Sequence, residues 1–232
     1  MREVEIKLRI RNERTLRKSL KRCGARPVHA AGKRLWQYNV LFDTPKRGLA
    51  RKGQLLRIRT ERLVGAPGGK PMEEHVSVTF KRPVSRSGHL NSRGRARHRI
   101  REEMEVRVAD GSSLTKIFEG LGLTGWFRYE RYRTTFALPA EKRWGRGLLI
   151  ELDETPIGTF VELEGPPEAI DRAARELGFS KRDYILKNYL VLYLEDCRKR
   201  RREPKHMLFE PLAGVRRKNL RGKESAAAIK FG

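Results

Sequence analysis

Glu3, Glu5 and Lys7 occupy every second position around Val4, Ile6 and Leu8. That spacing is the period of a β-strand, which sends two carboxylates and an ammonium to one face and aliphatic side chains to the other. The arrangement recurs along the chain. Arg57 and Arg59 alternate with Leu56 and Ile58, and Thr79 and Lys81 with Val76, Val78 and Phe80. Arg101, Glu103 and Glu105 alternate with Ile100, Met104 and Val106, and Arg131 and Arg133 with Tyr132 and Phe136. Glu151 and Asp153 follow with Leu148, Ile150 and Leu152, then Glu162 and Glu164 with Val161 and Leu163. A solvated sheet face accounts for any one of these strands. Seven together show arginines paired on some strands and carboxylates paired on others, a segregation by role. If the strands close into a barrel with the charged faces inward, burial of so many unpartnered ions is prohibitive. A polyanion held by the Arg and Lys set, with divalent cations held by the carboxylates, balances both signs. About eight strands enclose one small ligand. All-oxygen ligands suit Mg²⁺ or Mn²⁺ rather than Zn²⁺. His29, His75, His89, His98 and His206 show no metal-ligand spacing and no triad. They read as surface or loop residues, except His75, which shares a strand face with Lys81.

The elements that must position these side chains follow from periodicity and turn residues. A strand over 3–10 leads to a helix over 13–22, capped by Asn12 and ended by Gly24. The strand 34–43 puts Trp36, Tyr38, Val40 and Phe42 on one face and Gln37, Asn39, Leu41 and Asp43 on the other. Gly65 to Gly69 is a turn signal. The loop 82–97 carries Arg82, Arg86, Arg93, Arg95 and Arg97 and no acidic residue, which suits a solvated insert or a phosphate-attracting lip. A helix over 111–120 precedes strands at 127–138, 147–154 and 159–164. Pro166-Pro167 opens a helix to Leu177, and a last helix is expected over 183–196 with Ile185, Leu186, Tyr189, Leu190 and Tyr193 as its buried stripe. The helices are expected against the outer apolar face of the barrel. From Arg198 onward, twelve Lys or Arg and three Glu read as a disordered tail in which only Met207 to Leu212 could dock. The expected organisation is therefore a domain over 1–196 and a basic tail over 197–232.

The formal charge of +25 and a pI near 10.8 favour contact with nucleic acid, polyphosphate or anionic surfaces, and the tail is the expected polyanion contact. Cys23 and Cys197 lie far apart and outside any C-x-x-C, which excludes a disulfide framework and suits a reducing cytoplasm. The chain starts without an apolar signal core, and no run approaches membrane-spanning length.

Glu3-Val4-Glu5-Ile6-Lys7 resembles the ExExK signature of the CYTH family, the triphosphate tunnel metalloenzymes that include class IV adenylate cyclase and thiamine triphosphatase. The resemblance extends in order through Phe42-Asp43-Thr44-Pro45, Leu56 to Arg59, Thr79 to Pro83, Arg101 to Glu105, Arg131 to Arg133, Asp153 through Glu164, and Lys187-Asn188-Tyr189. It covers residues 1–196. It implies an α+β fold, an eight-stranded antiparallel β-barrel whose tunnel binds a triphosphate, with helices outside. Carried over by position, Lys7, Arg57, Arg59, Lys81, Arg131 and Arg133 correspond to groups that bind and act on the phosphates, joined in binding by Arg101 and Lys187. Glu3, Glu5, Glu103, Glu105, Asp153, Glu162 and Glu164 correspond to the ligands of Mg²⁺ or Mn²⁺. Two departures stand out: Leu41 replaces a frequent tyrosine, and Lys-Asn-Tyr replaces Lys-Ser-Tyr. The implied substrate is tripolyphosphate, ATP or thiamine triphosphate, acted on by a monomer or homodimer. Hydrolysis needs only triphosphate recognition, so a triphosphatase is the first expectation. Class IV adenylate cyclase is the alternative, and a non-catalytic module binding RNA or polyphosphate is a third.

Overall fold

The computed structural model describes residues 2–29, 33–65, 74–84 and 97–210. The expectations for the turn at 66–69, for most of the arginine-rich loop and for disorder in the tail beyond 210 concern segments outside the described residues.

The elements in chain order are β1 (Arg2–Ile10), α1 (Glu13–Arg22), β2 (Arg26–Pro27), β3 (Arg34–Asp43), α2 (Gly48–Arg51), β4 (Leu55–Val64), β5 (Glu74–Pro83) and β6 (Arg99–Val108). There follow α3 (Gly111–Gly120), β7 (Thr124–Ala137), β8 (Leu149–Thr155), β9 (Gly158–Glu164), α4 (Pro167–Glu176) and α5 (Tyr189–Lys199). Strands pair in the order β7-β3-β4-β5-β6-β1-β9-β8, and β7 pairs with β8 to close an eight-stranded antiparallel barrel. The short β2 lies outside the ring on β7. Closure leaves no free sheet edge in the ring.

The outer face of β1, β8 and β9 is covered by α1 and α4. Ile6, Leu8, Ile150, Leu152, Val161 and Leu163 pack there with Leu16 and Leu20 of α1 and Ile170, Ala173 and Ala174 of α4. The alanines let α4 lie close to the sheet. The inner face is divided. Leu41, Phe127, Tyr129 and Phe160 share the side of their strands that carries the charged residues, and they gather with Tyr189, Leu192 and Tyr193 of α5. The Tyr189 ring meets Phe160 edge-on at 5.5 Å and Tyr129 at 6.4 Å between centroids, so α5 plugs one end of the lumen with aromatic side chains.

One segment differs from the expectation and one, the docking of Met207, follows it, both for one physical reason. Pairing between β1 and β6 covers only Arg2 to Glu5, which leaves Lys7 with open backbone groups on that side. Ile185 fills them: Lys7 N donates to Ile185 O at 3.0 Å, and Ile185 N to Lys7 O at 2.9 Å. Residues 184–188 are therefore extended, and the last helix starts at Tyr189 rather than at 183. Likewise, pairing between β7 and β8 starts only at Tyr132. Met207 completes the ladder, donating to Arg128 O at 3.0 Å and accepting from Glu130 N at 2.9 Å, with its side chain fully buried. Buried backbone groups must be paired, and these bridges pair them. The body of the fold thus continues past Asp196 at least to Met207. His98 also departs from the surface reading: it is buried, with Nε2 at 2.9 Å from Asp171 Oδ1 of α4.

Candidate active site

The barrel encloses a cavity of about 710 Å³. Its cationic wall comes from β4 and β7. Arg57 donates from Nη2 to Thr79 Oγ1 at 2.9 Å and from Nη1 to the Tyr129 hydroxyl at 3.3 Å, with Glu105 at 3.6 Å. Arg59 donates from Nε to Asn39 Oδ1 at 3.1 Å and has no ion-pair partner among the described residues. Arg131 and Arg133 are saturated. Asp153 accepts from Arg131 Nη1, from Arg133 Nε and Nη2, and from the Tyr189 hydroxyl, each at 2.7 Å. Glu162 accepts from Arg133 Nη2 at 2.5 Å and faces Lys7 Nζ at 3.1 Å. Arg133 also pairs with Glu151. Arg131 Nε donates to Gln37 Oε1 at 2.6 Å.

The acidic wall comes from β1, β6, β8 and β9. Register places Glu5 opposite Glu164, Lys7 opposite Glu162 and Glu151 opposite Glu162. Lys81 spans Glu3 at 2.6 Å and Glu103 at 2.8 Å, while Glu5 receives Lys7 at 3.1 Å and Arg99 at 2.8 Å. Glu164 has no ion-pair partner among the described residues, and Glu3 Oε2 is buried with none.

Ionisation follows this geometry. Burial opposes the charge of Glu162, but Lys7, Arg133 and Arg131 outweigh it and hold the carboxyl well below its ordinary range. Burial likewise opposes the Lys7 ammonium, and Glu162 and Glu5 raise its pKa above the usual value. Glu164 lies at the opposite extreme: burial, then Glu151 and Glu3, push its pKa up to about 8. Burial also raises Glu3, assisted by Glu5 and Glu103 against the pull of Lys81. Arg59 is brought down to about 10 by burial and by Arg57, Arg131 and Arg133. The tunnel therefore has two poles, an excess of positive charge at Arg57 and Arg59 and an excess of carboxylate at Glu3 and Glu164.

The second pole fits a hard cation. Its donors are all oxygen, one is an orphaned buried oxygen, and crowding holds its carboxyls towards neutrality in the absence of a counter-charge. Among the described residues no three acidic, His or Cys side chains are already drawn together as a ligand set. Glu3, Glu5, Glu103, Glu105, Glu162 and Glu164 all line the cavity, whereas Asp153 is fully buried behind its guanidinium partners. Lys7, Arg57, Arg59, Lys81, Arg131 and Arg133 line the cavity too. Arg101 sits apart, its Nη2 donating to the carbonyls of Gly53 at 2.7 Å and Lys81 at 3.2 Å. Lys187 is not brought to the tunnel. The capping turn at Asn188 directs it outward, where it pairs with Glu195 at 2.5 Å and remains half exposed.

Sequence reading overlooked three groups in the lumen. Arg99 stands at the start of β6 in the same alternation as Arg101, between the loop read as ending at 97 and the alternation read from Arg101. Tyr129 shares the alternation of Arg131 and Arg133 but reads as a core aromatic. Gln37 was placed on the correct face of its strand without a role.

The CYTH domain profile matches residues 1–189. A candidate adenylate cyclase of Methanocaldococcus jannaschii is 25% identical over 199 residues, which cover 82% of this chain and 97% of that protein. Among solved structures, the PH1819 protein of Pyrococcus horikoshii has a TM-score of 0.63 at 22% identity, covering 83% of this chain and 98% of its own. A candidate adenylate cyclase from Vibrio parahaemolyticus has a TM-score of 0.60 at 17% identity, covering 82% and 96%. Both structural matches are likenesses of fold.

Proposed function

The chain belongs to the CYTH family, and from that premise we propose that it is a divalent-metal-dependent enzyme that cleaves a phosphoanhydride bond of a triphosphate, acting as a triphosphatase. The observation that carries this reading is the polarity of the tunnel. Arg59, half-buried beside Arg57, has no carboxylate in ion-pair contact among the described residues and shares Glu105 at longer range with Arg57, while Glu3 and Glu164 crowd the other wall. A polyanion alone would be repelled by the carboxylates, and a cation alone by the arginines. A triphosphate carrying Mg²⁺ or Mn²⁺ satisfies both poles, which favours an enzyme over a module that only binds polyanions.

In this reading Arg57 and Arg59 bind phosphate oxygens, and Lys7, Lys81, Arg131 and Arg133, held by acids in the free protein, complete the cationic wall. Glu3 and Glu164, with Glu5 and Glu103 beside them, hold the metal, which supplies Lewis-acid neutralisation of phosphate charge when bound. Asp153 and Glu162 orient the arginines. Two unit charges about 4 Å apart interact by roughly 4 kcal/mol at an effective dielectric near 20, so each correctly placed arginine bears strongly on the rate. The second reading, cyclisation of ATP, is favoured by the apolar residues Leu41, Leu55 and Leu190 along the cavity, which could take a base. The candidate cyclase of M. jannaschii lends it support as a relative.

The test incubates the purified chain with Mg²⁺ or Mn²⁺ and either tripolyphosphate or ATP, resolves products by ion chromatography, and uses Arg59→Ala as control. Phosphate and pyrophosphate from tripolyphosphate, lost in the control, are expected. Cyclic AMP and pyrophosphate from ATP would instead establish the cyclase. The absence of control-dependent product from either would overturn both readings.

A further inference from the structure

The lumen holds two phenols in opposite situations. The Tyr189 hydroxyl donates to Asp153 Oδ2 at 2.7 Å, and burial with Asp153 and Glu162 keeps it protonated. The Tyr129 hydroxyl, on the cavity wall, accepts from Arg57 Nη1 at 3.3 Å and, among the described residues, has no acceptor for its own proton. The groups facing it are Arg57 and Arg59 from β4, Arg131 from its own strand and the Tyr189 ring from α5. β3 offers only the uncharged Leu41 and Asn39, and the C-terminal segment offers Met207. No carboxylate of the described residues is bonded to it. A phenol oxygen beside guanidinium groups, with its proton unclaimed among the described residues, loses that proton more readily than an ordinary phenol.

Resting on the triphosphatase reading, we propose that Tyr129 is a catalytic residue whose phenolate oxygen accepts the proton of the attacking water. As the water oxygen bonds to the terminal phosphorus, its proton passes to Tyr129 Oη. The bridging P–O bond breaks and pyrophosphate leaves with the electron pair. Tyr129 then returns its proton to solvent through the open cavity. Burial by itself would raise this phenol, but Arg57, Arg131 and Arg59 outweigh it and bring it down to about 8. At pH 7 about a tenth of the free protein then carries the phenolate, and turnover rises with pH until the group is ionised. Bound triphosphate adds negative charge beside it and moves the ionisation upward.

Tyr129→Phe keeps the ring packing against Phe127 and Tyr189 and removes only the oxygen.

The deciding experiment titrates near-ultraviolet phenolate absorbance of the wild type and Tyr129→Phe, with and without tripolyphosphate, and measures kcat against pH for both. Expected are one phenol ionising near pH 8 in the wild type, absent from the variant and shifted upward by tripolyphosphate. A kcat about a hundredfold lower in the variant, without the ionisation on its acidic limb, is also expected. Identical titrations, or product formation with an unchanged pH profile in the variant, overturn the proposal while leaving the triphosphatase reading intact. A wild type that makes no product overturns both.

Discussion

Arg59 and Arg133 both present guanidinium groups to one lumen, yet their removal should have different signatures. Arg133 neutralises Asp153, Glu162 and Glu151. Arg133→Ala leaves those acids uncompensated and should cost about 3–5 kcal/mol in denaturant unfolding, with loss of activity as a consequence of that damage. Arg59 makes no ion-pair contact among the described residues but donates to Oδ1 of the buried Asn39, so Arg59→Ala should cost only about 1–3 kcal/mol in unfolding free energy while kcat/KM falls by about a hundredfold or more. Glu164 gives the third contrast. Its folded pKa of about 8 exceeds the ordinary carboxylate value, so the native state holds a proton that the unfolded chain releases. Its contribution is fully present below the ordinary value of about 4.5 and is lost as pH rises through 8. Glu164→Gln should therefore raise the Tm of the metal-free protein above neutrality and leave it unchanged near pH 4, while reducing the stabilisation conferred by added Mg²⁺ or Mn²⁺. Alternation in the sequence revealed which face each of these residues occupies, because strand period is a local property. It could not reveal that Asp153 is saturated and Glu164 unpaired, because partners come from strands distant in sequence.

The elements were legible where their signals are local. Asn12 caps α1 by accepting from Thr15 N at 3.0 Å, and Asp110 caps α3 by accepting from Ser112 N at 2.8 Å. The start of α5 was not legible at 183 because the Ile185 backbone is taken by Lys7, a contact no local pattern announces. The change from Lys-Ser-Tyr to Lys-Asn-Tyr has a simple meaning at this scale. Asn188 accepts from Val191 N at 2.9 Å as the cap of α5, a position where serine and asparagine serve equally. Asn188→Ser should be neutral in thermal unfolding, and Asn188→Ala should cost about 1 kcal/mol and loosen the aromatic plug that Tyr189 anchors. Lys187→Ala, by contrast, should leave the KM for tripolyphosphate unchanged, because its ammonium pairs with Glu195 outside the tunnel.

At the scale of the molecule, the excess of positive charge reads as polyanion affinity, but the tunnel itself carries acids that match most of its cations. Composition described the whole and concealed this internal balance. Within the basic segment after α5, the apolar Met207 picked out in the sequence does reach the core. Truncation after Lys199 keeps α5 and the buried Cys197 but removes Met207, and should therefore lower stability by at least the roughly 2–5 kcal/mol typical of losing a buried methionine side chain, whereas truncation after Glu210 keeps that contact. Comparing the two by urea unfolding checks it. The closure of the ring also bears on how the chain is made. β1, which leaves a ribosome before the other barrel strands, pairs with β6 and β9, and Lys7 pairs with Glu162 across that last seam. At a synthesis rate of roughly 5–20 residues per second, the strand carrying Glu3, Glu5 and Lys7 waits on the order of ten seconds for its partner. During that interval its alternating charges guard an unpaired edge against other nascent chains, and the seam that joins Lys7 to Glu162 exists only once β9 has been made.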